Sequence, residues 1–288
     1  MSFQQIVSSD QFRFLVGDDQ KEYSIHVALV AMQSPVLEKM VNNGMAESRS
    51  KTAVWNDIDD DTFAYFAEFA YTGDYNAYPA PASFAMLNLG GNIGSGSVDG
   101  KDEGVDMSVD EWAFRPKKKT KSGKIAYSSK REALWAAFER APPFNCPEAR
   151  HLPSKQGSTI GLTGTLLTHA KLYVFADRYE IPRLMKLSLF YLHDALIHIQ
   201  PTDSLDGTVQ LIEYCFTRDN PDALKDLVIH YVACKVETLH KIDAFKLLLW
   251  TDSIKSVGVL IDWYSAIKPL DTSIDFVENL KKDKQVFA

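Results

Sequence analysis

Residue types that commonly carry out chemistry are few and scattered in this sequence of 288 residues. It has no C-x-x-C or H-E-x-x-H pattern, and His193 and His198, five residues apart, share a helical face poorly. The glycine-rich GSGS at 94–97 lacks the G-x-G-x-x-G spacing of a phosphate-binding loop, because Asp99 takes the last glycine position. Three aspartates at 59–61 suit a helix cap better than a cation cage. These patterns predict no catalytic residue, no cofactor and no metal, and hence a protein that is not an enzyme.

The cysteines indicate packing rather than reactivity. Only Cys146, Cys215 and Cys234 occur, and an odd, sparse set does not make a disulfide framework. A reducing compartment is the natural setting for such a chain. Cys215 and Cys234 lie in apolar stretches with helical periodicity, so we expect them to be small buried side chains.

The overall charge argues against two further classes of function. A formal net charge of -7 and a pI of about 5.5 oppose attraction of the whole chain to nucleic acid or anionic membrane. No apolar run approaches the roughly 18 residues that cross a bilayer. The first ten residues have neither the basic start nor the apolar core of a secretory signal. We therefore expect an intracellular protein of the cytoplasm, the nucleus or both.

One basic run stands against this acidic background. It contains six cations without an acidic residue among them, and these are Arg115, Lys117, Lys118, Lys119, Lys121 and Lys124. Such a run is typical of a nuclear-import signal, but it is also typical of a solvated loop that balances the acidic stretch just before it. Both interpretations stay open. DNA binding by this run alone is not predicted, since no motif places a reading element in a groove.

The N-terminal third predicts a β-hairpin followed by helices. Alternating apolar residues at 12, 14 and 16 predict a strand, and Gly17-Asp18-Asp19 is a turn before a second strand at 23–25. Helices are predicted at 27–32 and after Ser34-Pro35, where Ser caps and Pro fits the first turn. Val54-Trp55 predicts a third strand. The next helix carries an apolar stripe at i, i+3, i+4 and i+7 from Phe63 and ends at Gly73.

Composition changes after this helix. Residues 79–164 carry clusters of Pro, Gly and Ser, which predict a largely disordered insert. Within it, residues 131–140 predict a short helix with Leu134, Trp135 and Phe138 on one side. Helical patterns resume at 165–197 and continue through an all-α extension at 198–270, with helices at 204–217, 221–240 and 245–267. Residues 271–288, with KKDK at 281–284, predict a frayed tail.

Three separated blocks resemble one known family. The opening DQFRFLVG at 10–17, the central TFAYFAEFAYTGDY at 62–75 and HAKLYVFADRYEIPRLMKLSLFYL at 169–192 are similar in order and chemistry to the BTB/POZ domain. The resemblance implies an α+β fold, a small β-sheet with a cluster of helices, formed by residues 8–78 and 165–197 and followed by the helical extension. It gives Asp10 and His26 the roles of fold-determining polar residues. It also implies a protein-interaction adaptor or scaffold.

The resemblance singles out one short motif. BTB adaptors of cullin ubiquitin ligases carry a hydrophobic-X-Glu motif between the second helix and the third strand, and Met45-Ala46-Glu47 matches it. An exposed Met is an adaptable apolar anchor, and Glu47 adds a charge that fixes register. These three residues are therefore the candidate partner-binding site, and a cullin scaffold is the candidate partner. Ordinary loop residues are the alternative, and the helices at 204–240 either add a cullin groove or complete the core.

Two departures from the family pattern narrow these expectations. Many BTB transcription factors have Lys or Arg directly after the helix-starting His, whereas this chain has Val27, which weakens a corepressor-binding role. Only about ten residues precede the first strand, so we expect a monomer or weak dimer rather than a domain-swapped dimer. A nuclear regulatory BTB protein without a ubiquitin-ligase role remains the alternative function.

Overall fold

A three-stranded sheet and a series of helices make up the part of the chain that the computed structural model describes, namely residues 2–44, 46–77, 130–140, 146, 149, 162–199 and 205–250. The strands are β1 (Gln11–Val16), β2 (Lys21–His26) and β3 (Thr52–Trp55). The helices are α1 (Phe3–Val7), α2 (Val27–Ala31), α3 (Pro35–Asn42), α4 (Ala46–Ser50), α5 (Asp60–Thr72), α6 (Lys130–Arg140), α7 (Leu162–Arg178), α8 (Pro182–His198), α9 (Asp206–Thr217), α10 (Asp222–Leu239) and α11 (Asp243–Trp250).

The sheet has the order β2-β1-β3. β1 and β2 form the predicted antiparallel hairpin, and the turn between them begins at Gly17, whose φ of 72° suits a residue without a side chain. β3 runs parallel to β1, so the chain must cross over between β2 and β3. Helices α2, α3 and α4 make that crossover. Alternate β1 side chains, starting at Phe12, are buried, as the sequence predicts.

Local capping explains where the helices around the sheet begin. The Ser34 hydroxyl accepts from the Leu37 N–H at 3.1 Å, and Pro35 occupies the first turn of α3. Asp59 does the same for α5, accepting from the Thr62 N–H at 2.8 Å. Both caps confirm the sequence analysis. Helix α1, with its capping box of Ser2 and Gln5, was not predicted, because a five-residue helix shows no apolar periodicity.

Two clusters of buried apolar side chains share helices α7 and α8. The first cluster lies between the sheet, α5 and these helices, and Phe14, Phe63 and Phe175 are at most 2% exposed there. The second lies among α6, α7, α8 and the C-terminal helices. Leu166 and Tyr173 on α7 face the second cluster. Opposite faces of one helix therefore join the small α+β unit to the helical extension.

The helical extension agrees with its predicted elements. α9 and α10 fall within the ranges predicted at 204–217 and 221–240, and α11 begins the last predicted helix, whose continuation to 267 lies outside the described residues. The α+β class with a helical C-terminal region is confirmed. α9 and α10 bury side chains such as Leu211 and Leu224 completely, so these helices do complete a core. Outside the described residues lie most of the insert and the tail at 271–288.

Candidate functional site

The short helix α4 projects from the crossover between α3 and β3. Gly44, with φ of 71°, lies in the turn that follows α3, and a Cβ added there would meet no atom within 4 Å. Ala46 and Glu47 in the first turn of α4 are both exposed. Glu47 forms no ion pair with another described residue, so its carboxylate is available to a partner. Met45, the apolar member of the predicted motif, lies outside the described residues.

The end of α4 is fixed to the sheet. The Ser50 hydroxyl donates to the Ala46 carbonyl at 2.9 Å, one turn earlier in the same helix. Lys51 then adopts φ of 49°, and its carbonyl accepts from the Arg13 N–H at 2.9 Å in β1. The Lys51 ammonium also donates to the Asp10 carboxylate at 2.5 Å. This hydrogen bond lowers the pKa of Asp10. The α4 surface, defined as residues 46–50, is thus held at the edge of the sheet.

Asp10 and His26 make contacts with different parts of the structure. The Asp10 carbonyl accepts from the Val27 N–H at 2.8 Å and so closes the hairpin at the start of α2. His26 is half-buried, and its Nδ1 lies 2.8 Å from the Tyr71 hydroxyl of α5. The two side chains therefore link the hairpin to α4 and to α5. Their roles as fold-determining residues stay predictions.

A buried polar centre joins α5 to α7 and α8. The Tyr191 hydroxyl and the Tyr75 N–H both donate to one carboxylate oxygen of Asp74 at 2.8 Å. The Tyr75 hydroxyl lies 2.7 Å from Nδ1 of His169. All four residues are at most 2% exposed. Complete burial lowers the pKa of His169 to about 3, so the imidazole is neutral at pH 7.

The polar centre does not have the access that catalysis requires. Sequence reasoning missed it, although a His inside the apolar face of α7 was the available signal. A cleft of about 950 Å³ lies elsewhere, between the β1–β2 turn, the β3–α5 loop, α7 and α9. No member of the polar centre lines that cleft, and no histidine, serine or cysteine is among the described residues that do. The hydrogen bonds of the polar centre therefore hold the end of α5 against α7 and α8.

Ion pairs line the cleft. Lys171 on α7 lies 3.0 Å from Asp59, and Arg178 on α7 pairs with Asp57. Lys21 at the start of β2 lies 2.6 Å from Asp60. These pairs tie α7 and the hairpin to the loop that leads into α5. The described walls of the cleft are thus tied together by ion pairs.

Comparison with protein families concerns the sheet and the helices around it. Residues 10–83 match the family model of the BTB/POZ domain. This part of the chain is a BTB/POZ domain. The search of curated proteins found no match for the chain.

The BTB/POZ domain gives the chain its general function. Domains of this family are protein–protein interaction modules. Among the described residues no group of His, Cys, Asp and Glu side chains could hold a metal ion. No described helix is long and apolar enough to cross a membrane.

The remaining predicted sites divide between the described and the undescribed parts of the chain. The basic run from Arg115 to Lys124 lies outside the described residues. Cys215 and Cys234 are at most 3% exposed, which confirms that they pack as small side chains. Burial raises the pKa of the Cys215 thiol to about 12, so it is protonated and unreactive at pH 7. Cys146 is half-buried, and no disulfide joins any two of the three cysteines.

Proposed function

We propose that this chain is an adaptor that binds a cullin-type scaffold through the α4 surface and the adjoining Met45. The observation that carries the proposal is the exposure of Ala46 and Glu47 on a short helix between α3 and β3. This is the position at which the BTB adaptors that the sequence resembles carry their hydrophobic-X-Glu motif. The attachment of α4 to β1 and Asp10 through Lys51 supports the proposal, because a preorganised surface loses little entropy on binding.

The fold supplies a frame for such an adaptor. We propose that residues 165–197 complete the unit that residues 8–78 begin, since α7 and α8 pack on α5 and the sheet in the first core. The helices after them would then carry a second partner surface, leaving α4 free for the scaffold. An adaptor needs two such surfaces, because it must hold a scaffold and a client at once.

Calorimetric titration with a cullin N-terminal domain tests the proposal. We expect micromolar or tighter binding by the full chain, and loss of at least tenfold in affinity by a Met45→Ala/Glu47→Ala variant. Glu22→Ala is the matched control, because Glu22 is an exposed glutamate on β2, the opposite edge of the sheet from β3. The absence of binding by folded wild-type protein would refute a cullin adaptor, and equal loss in the control would refute the assignment to α4.

A nuclear regulatory role is the second proposal, and the basic run at 115–124 is its support. An import receptor would bind these cations through acidic pockets. Deletion of 115–124 in a fluorescently tagged full chain tests it. We expect the nuclear fraction to fall. An unchanged distribution would leave the run as a solvated segment, and this outcome is independent of cullin binding.

A further inference from the structure

Helix α6 is a short helix within residues 79–164, the stretch that separates residues 8–78 from residues 165–197. It has 11 residues, and it is the one described helix between Ala77 and Leu162. Isolated helices of this length are marginal in water, because nucleation costs more than a few turns return. The helical state of α6 therefore depends on the surface on which it docks.

That surface is a groove of α8 and α10, which we call the α6 groove and define by His193, His230, Tyr231 and Lys235. Phe138 of α6 is 1% exposed, and its ring centre lies 4.7 Å from that of His193 and 5.2 Å from that of His230. Trp135, one turn earlier on α6, is 8% exposed and lies edge-on to Tyr231. Two aromatic side chains three residues apart thus fill the groove.

Two polar contacts make the groove specific for a helix rather than for any apolar segment. Nε2 of His193 lies 2.8 Å from the carbonyl oxygen of Phe138. A carbonyl only accepts, so this nitrogen carries the proton and donates. Phe138 is in the last turn of α6, where carbonyls lack partners within the helix, so His193 caps the helix C-terminus. The Lys235 ammonium lies 3.7 Å from the centre of the Trp135 ring, a cation–π contact.

We propose that the α6 groove is a recognition site for a short helix with two aromatic residues three apart, and that α6 is its resident, displaceable occupant. The partner it fits is a protein that presents such a helix ending near the second aromatic residue. Binding of that partner releases α6 from the groove. The proposal concerns the face shared by α8 and α10 and does not rest on cullin binding by the α4 surface.

The tether explains why the site would be filled in the isolated protein. A segment linked to its own site has an effective concentration on the order of millimolar, so a free competitor at micromolar concentration displaces it poorly. A variant whose own helix cannot fill the groove removes this competition. Trp135→Ala/Phe138→Ala in the full chain is such a variant, since it deletes both side chains that enter the groove.

Fluorescence polarisation with a labelled peptide of residues 128–142 tests the proposal. We expect the Trp135→Ala/Phe138→Ala protein to bind the peptide with micromolar Kd and the wild-type chain to bind at least tenfold more weakly. Adding His193→Ala and Lys235→Ala to the opened protein should weaken binding at least tenfold. A peptide with alanine at both aromatic positions is the control. No binding by the folded opened protein, or equal binding of both peptides, would overturn the proposal.

Hydrogen exchange of wild-type protein provides a test that does not depend on folding of the variant. If α6 is displaceable, its amides exchange at least 100-fold faster than those of α8 and α10, and excess peptide accelerates them further. If α6 amides exchange together with those of α8 and α10, the helix is a fixed part of the core. That result would overturn the proposal even where the double variant fails to fold.

Discussion

The neutral state of His169 makes the stability of this protein depend on pH. The imidazole has a pKa of about 3 in the folded chain, against an ordinary value of 6.5. Between these values the unfolded chain binds one proton that the folded chain does not. The contribution of neutral His169 to the unfolding free energy is therefore fully present above pH 6.5. It decreases as the pH falls, by about 1.4 kcal/mol per pH unit. From pH 7 to pH 5 the loss from His169 alone is about 2 kcal/mol.

His169→Asn isolates this contribution. The asparagine oxygen can occupy the position of Nδ1 and accept from the Tyr75 hydroxyl, but it does not titrate. We expect the variant to be less stable than wild type at pH 7 and to lose about 2 kcal/mol less between pH 7 and pH 5. The measurement is urea denaturation followed by tryptophan fluorescence at pH 5, 6 and 7. Other titrating groups contribute equally to both proteins and cancel in the difference.

A matched control separates titration from simple loss of packing. Leu172 lies on the same helix, is completely buried and does not titrate. Leu172→Ala should cost roughly 2–5 kcal/mol at every pH and keep the wild-type pH dependence. Parallel curves for His169→Asn and wild type would refute the reasoning, since they would mean that His169 takes up its proton in the folded chain as readily as in the unfolded one.

Three further predictions concern individual contacts. Tyr191→Phe removes the hydrogen bond to the buried Asp74 carboxylate and should lower the unfolding free energy by about 1.5–3 kcal/mol in urea titrations. Tyr173→Phe loses no hydrogen bond to a described residue and should cost under about 1 kcal/mol. Equal losses in the two variants would contradict the assigned contact. Asp59→Ala removes the α5 cap and should lower the melting temperature by an amount equivalent to about 1 kcal/mol. Asp59→Asn, which can also cap the helix, should keep most of this stability. In the folded chain a thiol reagent should label Cys146 well before Cys215, and simultaneous labelling would mean that the second core opens readily.

Local rules explain which parts of the fold the sequence alone could predict. Strand β1 alternates, α3 and α5 carry capping residues at their starts, and α5 repeats aromatic residues at helical spacing. Each of these signals involves neighbours within four residues, so it can be read without knowing the rest of the chain. The matched order of three such blocks then indicated the BTB/POZ domain, which the family comparison confirmed for residues 10–83.

The candidate site was predictable only in part. The sequence placed Ala46 and Glu47 between a helix and a strand, and the structure shows them exposed on α4. The attachment of α4 through Lys51 to Asp10 was not predicted, since an ion pair between residues 41 positions apart follows from the crossover and not from local spacing. Whether Glu47 binds a partner stays a prediction.

The sequence by itself determined most of the elements, the class of domain and the absence of familiar catalytic motifs, because periodicity and caps act over a few residues. Only the tertiary structure decided what the buried polar residues do. His169 meets a tyrosine 94 residues earlier in the chain, and Tyr191 meets an aspartate 117 residues earlier. It likewise decided that Phe138, in an insert, lies between His193 of α8 and His230 of α10. Such contacts depend on which helix faces pack together, and packing is a property of the whole folded chain rather than of any local segment.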